Sequence, residues 1–375
     1  MKRNSYITDS HCITPLGMDI ATNATALRNG ISGIKRHRFN GMEGSFFASV
    51  IEENLLNDTF RKAIPIKDNF TKLEKMLLLA MFPLTEKNRI TDRTALILST
   101  TKGNISGLAS GRNPHELRLP ALAEKLADFY GFPNIPIVIS NACVSGILAV
   151  SVAKRLVESG MYDDVCVVAG DEVSPFIASG FQAFQALSHE PCRPFDTDRS
   201  GVSLGEAAAA TWVSAERNQN SFRICGEASI NDANHISGPS RTGEGLFKSI
   251  KNALTEAGIS PAEIGFISAH GTATRYNDDM ESIAFARSSF SNTLVHSLKG
   301  CYGHTLGASG LLELVIAMEN ASRNSLVPSL GFQTAGTTEP MNIIQQNTEK
   351  DVRYFLKTAS GFGGCNTAVV FEKLD

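Results

Sequence analysis

No C-x-x-C pair joins the seven cysteines, which are odd in number and scattered from Cys12 to Cys365. That pattern argues against a disulfide framework and a zinc ribbon, and it points to a reducing compartment, so a cytoplasmic location is expected. An excess of one charge is also missing. The 35 Lys and Arg residues are met by 38 Asp and Glu, for a formal net charge of −3, and a pI near 6.3 gives no support for nucleic-acid binding. No apolar run reaches the length needed to span a bilayer. The basic start Met1-Lys2-Arg3-Asn4-Ser5 has no apolar core behind it, so it does not read as a secretory signal. Low-complexity segments and long linkers are lacking. So are the G-x-G-x-x-G and G-x-x-x-x-G-K patterns of dinucleotide and P-loop sites, and no metal-ligand spacing occurs. No cofactor and no metal are expected.

What is present supports a large core. Hydrophobic residues make up 42% of the 375 and charged residues 19%, which suits two or three domains or one large double domain. Apolar β-type runs over residues 94–99, 136–140, 165–169, 264–268 and 354–358 read as strands. Stretches 120–129, 144–157, 245–257 and 308–321 read as helices by length and periodicity. Strands alternating with helices point to an α/β architecture with buried, largely parallel strands. Two segments end alike: Leu204-Gly205-Glu206 feeds an apolar strand over 207–213, and Phe362-Gly363-Gly364 feeds another over 367–371. This suggests a duplicated α/β unit, with the polar stretch over 216–221 as the internal boundary.

Chemistry concentrates at strand exits. Pro136-Ile137-Val138-Ile139-Ser140-Asn141-Ala142-Cys143-Val144-Ser145-Gly146 reads as a buried strand, a tight turn and a buried helix. A cysteine at that elbow lies near the unpaired N–H groups of a helix start, which favour thiolate and make a nucleophile. The alternative is a buried cysteine acting as a small apolar residue. Ile264 to Ser268 delivers His270 into the small-residue loop His270-Gly271-Thr272-Ala273-Thr274; a histidine there could equally be bonded to backbone. Leu298-Lys299-Gly300-Cys301-Tyr302-Gly303-His304 precedes Gly307-Ala308-Ser309-Gly310, which opens a helix carrying Glu313. This set could also be an ordinary surface group. Ser360-Gly361-Phe362-Gly363-Gly364-Cys365-Asn366 embeds an aromatic among glycines, either a pocket gate or a simple turn. A cysteine and two histidines all at strand exits favour function, because ligands of open α/β sheets collect at the carboxyl ends of strands.

Taken in order, these clusters resemble the β-ketoacyl–acyl-carrier-protein synthases, the elongating branch of the thiolase superfamily. The resemblance is carried by Ala142-Cys143-Val144-Ser145-Gly146, by Phe184-Gln185-Ala186-Leu187-Ser188 with Arg193 to Gly201, and by His270 to Thr274 with Asn277, Asp278 and Glu281. Lys299 to Gly310, Gly361 to Asn366 and the loop Thr14-Pro15-Leu16-Gly17 complete it, so it covers nearly the whole chain. It implies the five-layered thiolase-like fold of two related βαβαβαββ halves, residues 1–217 with the nucleophile and 218–375 with the histidines. It implies that Cys143 takes an acyl group from acyl carrier protein, with its own N–H and that of Phe362 as oxyanion hole. His270 and His304 then stabilise the enolate formed when a malonyl thioester loses carbon dioxide. Lys299 and Glu313 resemble the supporting pair and Phe362 the gate. Thr272, Thr274, Phe181, Phe184 and Gly363 fall where the family contacts substrate.

The resemblance has departures. The segments between Gly103 and Pro136 and between Ser188 and Arg193 look trimmed, Gly201-Val202-Ser203-Leu204-Gly205-Glu206 lacks the usual aromatic, and Cys365 stands where threonine is common. Two other readings stay open. One is a partner subunit like the chain-length factors, which lose the nucleophile. The other is a thiolase using Cys301 or Cys365 as a second cysteine. Fatty-acid elongation and a specialised pathway, such as polyketide, aryl polyene or pigment synthesis, both fit, as do a homodimer and a heterodimer. Acidic carrier proteins would dock on basic surface, for which Lys35-Arg36-His37-Arg38 is a candidate, although a run of this kind is also an ordinary solvated face. His11, His37, His115, His189, His235 and His296 carry no motif and are assigned no role.

Overall fold

The structure, a computed structural model, describes residues 3–39, 44–66, 69–233 and 238–374. Met1 and Lys2 of the basic start and His235 lie outside the described residues. The main elements of the first half are β1 (Tyr6–Ile13), α1 (Lys72–Lys87), β2 (Thr94–Ser99), α2 (Leu119–Tyr130), β3 (Ile137–Ile139), α3 (Ser145–Glu158), β4 (Asp164–Asp171) and β5 (Ala207–Ser214). Those of the second are β6 (Phe222–Asn231), α4 (Glu244–Ala257), β7 (Ile264–Ser268), α5 (Arg275–Arg287), β8 (Leu294–His296), α6 (Ser309–Ser322), β9 (Tyr354–Gly361) and β10 (Cys365–Lys373). Each half therefore runs βαβαβαββ.

The strand orders repeat as well. The first half reads β3-β2-β4-β5-β1 and the second β8-β7-β9-β10-β6, joined where Tyr6 and Ile7 pair antiparallel with Arg223 and Phe222. In each half the second strand is parallel to its two neighbours, and the last strand returns antiparallel to the fourth. The two strands with matching entry sequences, β5 and β10, hold the same place in the two orders. The short strand Asn342–Ile343 extends the outer edge of β8.

Five layers follow from what each helix buries. The faces of α3 and α6 pack against one another and against inward residues of both half-sheets: Ile97, Val165 and Val167 on one side, Phe266, Phe355 and Val369 on the other. Helices α1 and α2 cover the outer face of the first half through Leu77, Leu84 and Leu126, which meet Leu96, Val168 and Trp212. Helices α4 and α5 cover the second through Leu246, Ile250 and Phe285 against Ile267, Leu356 and Val370. An α6 buried on nearly every side is what its sequence Ser-Gly-Leu-Leu-Glu-Leu-Val-Ile-Ala-Met requires, since it has no polar stripe. Among the described residues no helix is long and apolar enough to cross a membrane.

Candidate active site

Cys143 lies in the turn between β3 and α3. Asn141 donates its N–H to Ser145 Oγ at 2.8 Å, and that hydroxyl donates to Ala142 O at 2.6 Å. The tight closure holds Ala142 at φ +44°, a left-handed conformation that costs an alanine about 1–3 kcal/mol. Strand β9 ends against the same turn, and a Cβ on Gly361 would stand 3.1 Å from Cys143 N. The backbone N–H of Phe362 thereby faces the Cys143 sulfur.

His270 leaves β7 in a loop tied down by Glu281 of α5, whose carboxylate accepts the N–H groups of His270 at 2.8 Å and Gly271 at 2.6 Å. Lys299 Nζ donates to His270 O at 2.6 Å and lies 3.3 Å from His270 Nδ1. His304 follows the short helix Lys299–Tyr302. Its Nδ1 accepts the Leu306 N–H at 3.2 Å and lies 3.0 Å from Ser309 Oγ. Both Nδ1 atoms face donors, so the neutral rings carry their hydrogen on Nε2. Among the described residues, buried His304 Nε2 has no hydrogen-bond partner.

The two ring centroids are 5.2 Å apart. Cys143 and the two histidines each bring one sulfur or nitrogen to within 4.8 Å of the others. No pattern of spacing along the chain announces this convergence, because the residues come from three loops. The spacing would suit a metal ion. However, the ammonium groups of Lys299 and Lys357 behind the rings make that wall positive, which suits an oxyanion and opposes a cation.

These side chains line a cavity of about 820 Å³. Thr272, Thr274, Phe181, Phe184 and Phe362 are also on its wall, and the exposed Arg275 and Tyr276 stand at its mouth. The Phe362 ring packs 5.9 Å from Phe181 and 5.6 Å from Phe184. Gly363 is not on the wall; it forms the turn between β9 and β10, and its carbonyl accepts from Asn231 Nδ2 at 3.1 Å. Lys299 and Glu313 lie behind the wall, fully buried and 2.7 Å apart. Neither Cys301 nor Cys365 reaches the cavity. The Cys365 thiol instead points to Phe362 O at 3.5 Å.

Burial dominates the electrostatics. It pushes the Cys143 thiol up to about 12, helped by the neighbouring Cys365 and opposed by Lys299 and the Phe362 N–H. Burial thus works against the thiolate expected from the helix start. Burial first, and the Lys299 charge second, hold both His270 and His304 well below the usual imidazole range. Burial raises Glu313, but Lys299 and Lys357 outweigh it and bring the carboxyl down.

Three contributors escape the motif reading. Lys357 is paired with Glu313. Asp171 accepts Gly307 N–H at 2.7 Å and Thr100 Oγ1–H at 2.9 Å, fixing the His304 loop to the end of β4. Ser309 orients the His304 ring. For Lys357 there was a signal: a lysine within the apolar run Tyr354-Phe355-Leu356-Lys357-Thr358-Ala359 must be paired if the strand is buried.

Residues 120–218 match the family model described as beta-ketoacyl synthase, N-terminal domain, and residues 222–333 match its C-terminal domain. The chain is 26% identical to a 3-oxoacyl-[acyl-carrier-protein] synthase homolog of Saccharomyces cerevisiae, covering 100% of the chain and 99% of that protein. It is 28% identical over 253 residues to 3-oxoacyl-[acyl-carrier-protein] synthase 2 of Staphylococcus aureus, covering 63% of the chain and 61% of that protein. For several curated relatives it spans 61% to 63% of their length. Among solved structures, a ketosynthase of Xenorhabdus doucetiae in complex with its chain length factor superposes with a TM-score of 0.86 at 25% identity, covering 99% of this chain and 98% of that one.

Proposed function

The chain belongs to the beta-ketoacyl synthase family, and from that premise we propose that it catalyses the decarboxylative Claisen condensation of an acyl thioester with malonyl-acyl carrier protein. The carrying observation is the convergence of one thiol and two imidazoles on a single cavity. Residues 1–217 supply the thiol and residues 218–375 the imidazoles.

In the first half-reaction the Cys143 sulfur attacks the acyl carbonyl carbon. The oxygen collects charge opposite the N–H groups of Cys143 and Phe362, the carrier thiolate departs, and the Cys143 proton ends on it. A thiol as weakly acidic as this one loses its proton only as the attack proceeds. In the second half-reaction the malonyl carboxylate leaves as carbon dioxide, and its bonding electrons form an enolate whose oxygen is held by His270 and His304 Nε2–H. The carbanion attacks the Cys143 thioester, the β-ketoacyl product leaves on the carrier, and the released Cys143 sulfur takes a proton from solvent. No redox step occurs.

Two features oppose the rival readings. A non-catalytic partner subunit has no need of Cys143 with both imidazoles, and a thiolase needs a second cysteine at the cavity, where neither Cys301 nor Cys365 reaches. Carrier protein is the partner in this reading. A second synthase-like subunit, the same chain or a chain-length-factor-like one, is a further element of it, supported by the complex formed by the Xenorhabdus relative. The pathway is fatty-acid or specialised polyene or polyketide synthesis. Seven unpaired cysteines suit work in the cytoplasm.

Intact-mass analysis after mixing with a panel of acyl-carrier proteins tests this reading. The chain should gain the mass of the acyl group, and Cys143→Ala should gain none. An acylated alanine variant would remove Cys143 as nucleophile.

A further inference from the structure

The condensing chemistry leaves the buried cation Lys357 without a role. Lys357 projects from β9 with no exposure. Its Nζ lies 2.7 Å from Thr358 O, 3.1 Å from Ser268 O and 3.4 Å from Ala269 O, and 2.7 Å from Glu313 Oε2. Among the described residues, the contacts to that nitrogen are all from oxygens. A neutral amine would set its lone pair against a carbonyl oxygen, so the cage favours the ammonium, against a burial that lowers its pKa and with Glu313 opposing that shift. Glu313 Oε1 is 2.7 Å from Lys299 Nζ, so a single carboxylate bridges two ammonium groups. Two positive charges against one negative leave the trio net positive, deep behind the imidazoles.

From these contacts we propose that Lys357 is a positioning residue for the condensation: it pins one oxygen of Glu313, so that the other stays on Lys299 and Lys299 stays on His270. The inference rests on the condensing reading given above. It also gives the surplus charge a purpose, since negative charge develops on the substrate oxygen and on the Cys143 sulfur in front of that wall.

Other charged or titratable groups face the trio. Glu281 of α5 is tied to the backbone of His270 and Gly271. His296 of β8 has Nδ1 3.1 Å from Val327 O. His270 and His304 stand in front. Glu281 tempers the surplus when ionised, and burial raises its carboxyl to about 7, so it does so only in part near neutrality. Lys357 also contributes to holding both active-site imidazoles below their ordinary range. Its removal should therefore let them protonate at higher pH.

The test uses the full chain and its carrier substrates, with wild type as reference. In Lys357→Met, Cys143 should still be acylated. Malonyl decarboxylation should lose about tenfold to a hundredfold in kcat, with little change in KM, as expected of a displaced catalytic group. The acid limb of its pH profile should move upward. In Lys357→Ala, n-propylammonium should restore part of the rate and 1-propanol should not. An unchanged kcat and acid limb in Lys357→Met, or equal restoration by ammonium and alcohol, would overturn the proposal. If neither neutral variant folds, Lys357→Arg decides. With the charge kept, the acid limb should stay at its wild-type position, and its displacement would overturn the proposal. A wild-type chain that is never acylated would instead sink the condensing reading itself, which separates the two failures.

Discussion

The two imidazoles do their work because of what holds their far side. Leu306 N–H occupies His304 Nδ1 and the Lys299 ammonium faces His270 Nδ1, so each ring offers one hydrogen to the cavity and cannot readily take a second proton. Protonation would set a new N–H against Leu306 N–H or Lys299, which agrees with the lowered basicity of both rings. The decarboxylation rate should therefore hold as pH falls through 6.5 and decline only further down. A decline centred near 6.5 would show ordinary, unrestrained imidazoles. If His304 is one of two oxyanion donors as proposed, His304→Ala should slow carbon dioxide release by about two to three orders of magnitude. A loss under about tenfold would reassign the residue. Cys143 and His270 could be found in the sequence because each follows a strand in a loop of small residues, whereas His304 comes after the short helix Lys299–Tyr302 rather than directly at a strand exit. The thiol's acidity could not be found the same way. It depends on burial by β9 and Phe362, which approach from more than 200 residues along the chain, and that burial works against the thiolate.

At the level of elements, the site depends on how closely α3 and α6 cross beneath it. A Cβ on Gly146 would stand 2.8 Å from both Gly307 O and Leu311 N, and one on Gly310 would stand 2.8 Å from Ile147 N. The two glycines let one helix back onto the other, which brings the Cys143 turn and the His304 loop to the same cavity. Gly146→Ala should force the helices apart at a cost of about 1–3 kcal/mol. It should lower the melting temperature and, by parting thiol from imidazole, reduce condensation more than it reduces acylation. A variant with wild-type melting and condensation would show that the crossing is slack. The strands over 94–99 and 264–268 match their expected bounds, since both are short, largely buried apolar runs. Strand β9 outlasts its expected end at 358 and reaches Gly361, because Ser360 and Gly361 pair with Asn366 and Cys365 across the hairpin. Strand β1 drew no assignment: Thr8, Asp9, Ser10 and His11 interrupt its apolar pattern. It is held instead by its pairing with β5, a long-range partnership that local pattern does not reveal.

For the molecule as a whole, duplication puts the thiol and the imidazoles on facing halves, and a small third sheet links this centre to the surface. Strand Ile34–His37 pairs with Phe46–Ser49, which pairs with Leu204–Gly205, and Leu204 bridges to His304. On the outer strand of that sheet, Lys35 and Arg36 are exposed, and Arg38 is exposed just beyond its end. The ion pair of Lys35 with Glu52 is 3.9 Å long and solvent-washed, so it contributes little. This cationic edge is suited to an acidic carrier delivering its arm to the cavity. Changing Lys35, Arg36 and Arg38 together to glutamate should weaken carrier binding by about tenfold at low ionic strength, through slower association, with the difference shrinking as salt screens it. Acylation by a small thioester that lacks the carrier should stay at the wild-type rate, because the cavity itself is untouched. Equal carrier affinity at low salt would leave these residues as an ordinary solvated face and move the docking surface elsewhere on the molecule, with Arg275 and Tyr276 at the cavity mouth the next place to look.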